Sequence, residues 1–447
     1  MRFAALLVAT AVWAIHHCAA LRSFGRGFTE FMCLDEESVV LEHNLSDPQI
    51  YGGVVDHFWT TGPSEEEMAT AGLRLEIRYR FDGEEKPSIV FEPAMASGQA
   101  WAAVKFGDEW RNGQQNSTLN RGLFTAGAKM GRNALTGAWW NNFRLPFARS
   151  VRITATLTVR QSSLQVPPKN CKGVDIIVRG HERSADAGIT LPSGLTLPAT
   201  ARMELHKIDK TLAPNTFARL ANISAGREGI IYLVTLGLET SPPWGRLATN
   251  GTLINMNNYV EGCFHLLRNS AEEWPGMVLG TGLEDFFDSA FGFSIVAPGI
   301  PGAPPLIRSC EAAETDGEQR PKVCLNEGVL WQGPTSGLLH FSADYSDPDP
   351  TKAVERISAY RFLDDELVGV DDGGAFGWEN GCAKDARKGT NKCGESSLTP
   401  AGSSGGMLPH SPIGTGYCLA HPTRVRAYVW VYTWPKAAPT SAPRRGS

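Results

Sequence analysis

Val425-Arg426-Ala427-Tyr428-Val429-Trp430-Val431-Tyr432-Thr433-Trp434 puts Val425, Ala427, Val429 and Val431 on one face of an extended strand and Tyr428, Trp430, Tyr432 and Trp434 on the other, because successive strand residues point to opposite sides. Neither face is polar, so both are covered, as when sheets pack against sheets. Leu73-Arg74-Leu75-Glu76-Ile77-Arg78-Tyr79-Arg80-Phe81 reads differently: odd positions are apolar and even ones charged, a strand with one wet face. Asp82-Gly83 then turns the chain. Val151 to Val159 repeats the alternation, and further β-prone runs lie at Gly52–Thr60, Gly229–Leu238, Gly337–Phe341 and Arg356–Phe362. Helical spacing is scarce, and Pro, Gly and Asn-Gly turns separate the runs. This pattern predicts an all-β, double jelly-roll β-sandwich rather than a parallel βαβ fold.

The chain has 447 residues, with 47 Gly and 28 Pro, long enough for two sandwiches at about 100–200 residues each. The expected junction lies at Glu239-Thr240-Ser241-Pro242-Pro243, which gives a first half at 21–240 and a second at 241–435. Residues 382–416 read as a surface loop and 436–447 as a disordered tail. A net charge of −5 with no Lys/Arg-rich block argues against nucleic acid as a partner and favours a neutral substrate.

Met1-Arg2, the apolar run Phe3 to Ile15 and the small residues Cys18-Ala19-Ala20 read as a signal peptide over residues 1–20. The run is short of the about 20 residues that span a bilayer, and no later segment is long and apolar enough to do so. Export to the secretory lumen or beyond is therefore expected. Eight cysteines remain, suited to an oxidising compartment; Cys310 with Cys324, and Cys382 with Cys393, can each close a short loop. Sequons begin at Asn44, Asn116, Asn222 and Asn250. There is no C-x-x-C pair and no calcium-loop spacing, so no metal and no cofactor is expected.

The segment that carries chemistry is Gly280-Thr281-Gly282-Leu283-Glu284-Asp285-Phe286-Phe287-Asp288-Ser289-Ala290-Phe291-Gly292-Phe293, preceded by Tyr259-Val260-Glu261-Gly262. By itself Gly-Thr-Gly is a turn, and a Glu beside it is a solvated face or a cap. A phosphate loop is excluded, since no Gly-Lys-Ser/Thr follows.

The segment resembles the Gly-Thr-Gly-Thr-Glu-Asp-Tyr-Phe hallmark of glycoside hydrolase family 172, with Leu283 in place of Thr and Phe286 in place of Tyr. Other blocks resemble that family in order: Tyr51 to Thr61, Arg78 to Ser88, Phe143 to Ser150, Glu261-Gly262, Tyr360-Arg361-Phe362 and Tyr428 to Trp434. The resemblance implies a double jelly roll assembled as a homotrimer or homohexamer. It also implies a retaining hydrolase that acts on oligosaccharide or polysaccharide furanosides through two glutamates, Glu261 and Glu284 by position. Retaining chemistry needs carboxyl groups about 5–5.5 Å apart, one attacking the anomeric carbon and one handling the proton. Glu284 is assigned as nucleophile and Glu261 as acid/base, with the reverse left open. Trp139, Trp140, Phe286, Tyr360 and Arg361 are candidates for the furanose pocket, and Asp56 and His57 for polar contacts; each aromatic has core packing as its alternative. The competing class is a non-catalytic carbohydrate-binding or structural jelly-roll protein.

Overall fold

The computed structural model describes residues 22–63, 72–100, 129–132, 138–159, 171–213, 216–240, 262–273, 276–288, 331–344, 354–380 and 422–437, with short strand backbones at 245–247, 253–255, 308–310, 323–326, 384–385 and 390–391. The first half contains β1 (Arg22–Met32), β2 (Glu37–Asn44), β3 (Tyr51–Thr60), β4 (Leu73–Phe81), β5 (Ile89–Phe91), β6 (Met130–Arg132), β7 (Trp139–Asn141), β8 (Leu145–Phe147), β9 (Ser150–Val159) and β10 (Lys172–Ser184). The second contains β11 (Arg202–Leu212), β12 (Thr216–Ile223), β13 (Arg227–Thr240), β14 (Phe264–Leu267), β15 (Met277–Gly280), β16 (Ser336–Asp344), β17 (Val354–Phe362), β18 (Gly374–Asn380) and β19 (Thr423–Pro435). Among the described residues two four-residue helical turns, α1 (Pro93–Ala96) and α2 (Leu283–Phe286), interrupt them.

Pairing is nested in the same way in both halves. In the first, β1 pairs with β10, β2 with β9, β3 with β8 and β4 with β5, and β10 and β9 also pair with β3 and β4. In the second, β11 pairs with β19, β12 with β18, β13 with β17 and β14 with β15, and β19 and β18 also pair with β13 and β14. First-with-last, second-with-seventh pairing of eight antiparallel strands in two facing sheets is the jelly roll. The protein is a double jelly roll.

Alternation decides which side chains fill each core. Leu73, Leu75, Ile77, Tyr79 and Phe81 are buried while the charged residues between them are half-buried. Val425, Ala427, Val429 and Val431 fill the second core, whereas Tyr428, Trp430 and Tyr432 from the same strand join the first. The sheet containing β19 is thus covered on both faces. At the seam, the Phe143 ring lies 5.0 Å from Trp430 and 5.7 Å from Tyr232. Polar contacts also cross it: Thr235 donates to the Met95 carbonyl (2.9 Å), Tyr432 donates to the Arg144 carbonyl (2.8 Å), and Glu92 pairs with Arg426 at 3.4 Å.

The domain boundary needs correction. Strands β11 and β13, Arg202 to Thr240, pair with β19 and belong to the second jelly roll, so the junction falls between Leu197, the end of a small hairpin, and Arg202. The long strand β13 ends at Thr240, just ahead of the sequence Pro242-Pro243, and that end is not the end of a domain.

Cys33 and Cys171 form a disulfide across a sequence separation of 138. Cys263 is also disulfide-bonded, to a partner outside the described residues. Cys310 and Cys324 stand opposite each other in register, whereas Cys382 and Cys393 lie outside the described residues. Asn44 and Asn222 are exposed; Asn116, Asn250 and the expected signal peptide lie outside, as do residues 438–447. Among the described residues no helix is long and apolar enough to cross a membrane.

Candidate functional site

The hallmark segment begins as β15, which pairs with β14, and then turns sharply into α2. Asp285 holds that turn. One carboxylate oxygen accepts from the Thr281 backbone N–H (2.7 Å) and hydroxyl (2.8 Å), and the other accepts from the Gly282 N–H (2.7 Å). An acidic side chain at the start of a helical turn thereby satisfies donors that have no helical partner. Asp285 is committed to the turn, and Glu284 is the buried carboxylate beside it.

Glu284 is 9% exposed. A Cβ on Gly282 would collide with its carboxylate, so glycine there is what lets Glu284 lie back over the turn. Gly282 has an extended backbone with φ −164°, a conformation open to any residue, so the requirement is one of space. Gly282→Ala is expected to displace the Glu284 carboxylate and cut any turnover by about 10- to 100-fold, with the thermal midpoint little changed. Comparison of kcat and melting curves for the two proteins checks this.

The C-terminal end of α2 is clamped by Arg361 on β17. Its guanidinium donates to the carbonyls of Asp285 (3.3 Å) and Phe286, pairs with Asp288 (3.2 Å) and Glu366 (2.8 Å), and lies 5.3 Å from the Phe286 ring centroid. Phe286 is buried in the second core and stacks on Phe264 at 3.8 Å. Tyr360 is fully buried at the seam, its hydroxyl donating to the Gly333 carbonyl (2.6 Å), and burial pushes its phenol well above the usual range. Arg361 and Phe286 therefore support the Glu284 turn, whereas Tyr360, next to Arg361 on the opposite strand face, fills the first core.

The other four candidates sit on the first jelly roll. Trp139 and Trp140 are consecutive on β7 and point to opposite faces: Trp139 is 2% exposed, with the Arg132 guanidinium 5.0 Å from its ring, and Trp140 is half-buried on the outer face. Asp56 pairs with His181 and His57 hydrogen-bonds Asn142, both at 2.8 Å. A chain of contacts joins this group to the Glu284 turn. Asn142 donates its backbone N–H to the Lys129 carbonyl (2.7 Å), and Lys129 pairs with Asp364 (2.6 Å), which follows Arg361 by three positions. Glu261 lies outside the described residues.

No family model and no curated protein matches the sequence. The chain is similar in structure to a chain of Sulfolobus turreted icosahedral virus, with a TM-score of 0.33 and 8% identity over 93% of this chain and 92% of that one. It is also similar to a chain of the Sputnik virophage, with a TM-score of 0.27 and 10% identity over 96% and 92%.

Sequence reading missed one constellation. His265 on β14 and Glu379 on β18 pair at 3.1 Å with side chains 0% and 2% exposed. With Cys263 they bring ligand-type atoms within 4.8 Å of one another, and the Cys263 sulfur lies 3.9 Å from the Thr281 carbonyl. The disulfide occupies that sulfur, so the trio offers no thiolate to a metal. The available signal was alternation: Cys263 and His265 share the strand face opposite Phe264 and Leu266.

Proposed function

We propose that this protein is a secreted retaining furanosidase of the kind that glycoside hydrolase family 172 represents, acting on oligosaccharide or polysaccharide furanosides and assembling as a homotrimer or homohexamer. The observation that carries this reading is the buried Glu284 carboxylate, seated over a glycine and flanked by an aspartate already committed to the turn. A carboxyl group fixed on a rigid turn and withdrawn from water suits attack on an anomeric carbon. Glu261, its partner on sequence grounds, supplies the proton.

A second reading, a non-catalytic carbohydrate-binding or structural jelly roll, is favoured by a different observation. Three of the proposed pocket aromatics, Trp139, Phe286 and Tyr360, are buried in the interior rather than exposed to a ligand, and the fold alone is indifferent to function. Incubating the purified protein with nitrophenyl furanosides and difructose anhydrides, and following the product anomers by NMR, separates the two. Turnover with retention is expected. Inversion would sink the retaining mechanism, because it requires carboxyls about 6.5–9.5 Å apart, and binding without turnover establishes the second reading.

A further inference from the structure

Five residues on five adjacent strands of the first jelly roll are consecutive register partners. Gly27 on β1 stands opposite Ile177 on β10, Ile177 opposite Trp59 on β3, Trp59 opposite Trp140 on β7, and Trp140 opposite Gly131 on β6. Residues in register across a sheet share a face. This face is the outer one, since the neighbours Phe28, Ile176, Val178 and Phe58 fill the core. The row therefore crosses the sheet at right angles to its strands for about 19 Å, four strand spacings. Ile177 is 37% exposed and both indoles are half-buried. Trp139, Trp378 and Trp430, by contrast, are withdrawn into the interior.

The ends and margins of the row define what it fits. A Cβ on Gly27 would meet nothing within 4 Å, so at the β1 edge a ligand longer than the row can run on. The inner end, Gly131, is buried, so the exposed part of the row stops at Trp140; Gly131 is two residues from Lys129, one of the side chains that tie the two jelly rolls together. Along one margin lie Arg179 and its register partner His57, itself hydrogen-bonded to Asn142; along the other lies Asp175, whose N–H donates to the Thr61 hydroxyl (3.1 Å). Among the described residues, the opposite charges on the two margins form no basic stripe of the sort an acidic polymer or nucleic acid requires. The apolar area of the row itself is also too small for a stable subunit contact. Two half-buried indoles and one isoleucine offer on the order of 200 Å² from side chains of 150–250 Å² each, against about 800 Å² per partner in a stable interface. Flat, rigid indoles set among fixed hydrogen-bonding groups suit sugar rings, with their apolar faces and hydroxyl edges.

We propose that this row is a binding track for a neutral polysaccharide chain, laid across the outer sheet from Trp140 to the β1 edge. It goes beyond the Glu284 reading and needs no turnover, so it stands even if Glu284 proves catalytically inert. Affinity electrophoresis of the full chain through gels containing arabinan or inulin, with heparin as an acidic control, tests it. Retardation by a neutral polymer and not by heparin is expected. Trp59→Ala and the exposed-site variant Ile177→Ser should weaken it by about tenfold, and Trp59→Phe should restore most of it, with circular dichroism checking the fold. A wild type retarded by neither neutral polymer, retardation by heparin alone, or variants that run like the wild type would overturn the proposal. So would variants that change only the oligomeric mass in light scattering, which would assign the row to a second copy of the chain.

Discussion

Glu284→Gln is expected to lower turnover of an activated furanoside by about 10³-fold and to leave the melting curve nearly unchanged. The swap conserves volume and removes only the ionisable oxygen, and the hydrogen bonds that hold Thr281 and Gly282 are made by Asp285. In the proposed reaction an oxygen of the Glu284 carboxylate attacks the anomeric carbon as the bond to the leaving oxygen breaks, and water later displaces the carboxylate with help from the acid/base partner. Glu261→Gln should therefore let a nitrophenyl furanoside, whose leaving group needs little protonation, accumulate as a covalent adduct on the peptide containing Glu284, and azide should release it. An adduct on Glu261 in the Glu284→Gln protein would exchange the two roles. Near-normal turnover in Glu284→Gln would remove that residue from the chemistry and leave the binding or structural reading.

Period-two alternation is local, and it placed the strands correctly: Leu73 to Phe81 and Val425 to Trp434 are strands with the faces their residues announce. The nested pairing of first with last strand joins residues more than a hundred positions apart, and no local pattern encodes it. The same limit explains the misplaced boundary. Pro242-Pro243 follows the end of a strand in sequence, whereas the assignment of Arg202 to Thr240 to the second sandwich depends on contacts with Thr423 to Pro435. Within the site, the Glu284 turn was legible because its bonds span three or four residues. The roles of Tyr360, Arg361 and Phe286 were not, since each is set by a neighbour distant in sequence. Trp139 and Trp140 carried a usable warning: consecutive strand residues face opposite ways, so one pocket on a flat sheet does not take both. The His265–Glu379 pair escaped because a lone histidine in an apolar strand gives no sign of a carboxylate from β18.

Asp364→Ala is expected to destabilise the protein by about 3–5 kcal/mol, the cost of stranding a buried charge. The Lys129 ammonium lies 2.6 Å from Asp364 Oδ1, with side chains 10% and 0% exposed. It also sits 4.7 Å from the Phe362 ring centroid and 5.9 Å from that of Tyr232. Without the carboxylate, the lysine must stay charged among aromatic rings, lose its proton, or pull away and open the seam between the jelly rolls. Each route costs stability. Tyr232 and Tyr432 offer no ionised replacement, because burial, the largest cause for each, raises both phenols far above the usual range whether or not Asp364 is there. Lys129→Met alone strands the aspartate and should cost a similar amount. Lys129→Met combined with Asp364→Leu should recover most of the loss, because an apolar pair of comparable volume carries no desolvation penalty. Urea unfolding of the four proteins measures the coupling. Single variants within about 0.5 kcal/mol of wild type, or a double variant as unstable as the two losses added, would show that the seam is held by its aromatic packing and not by this ion pair.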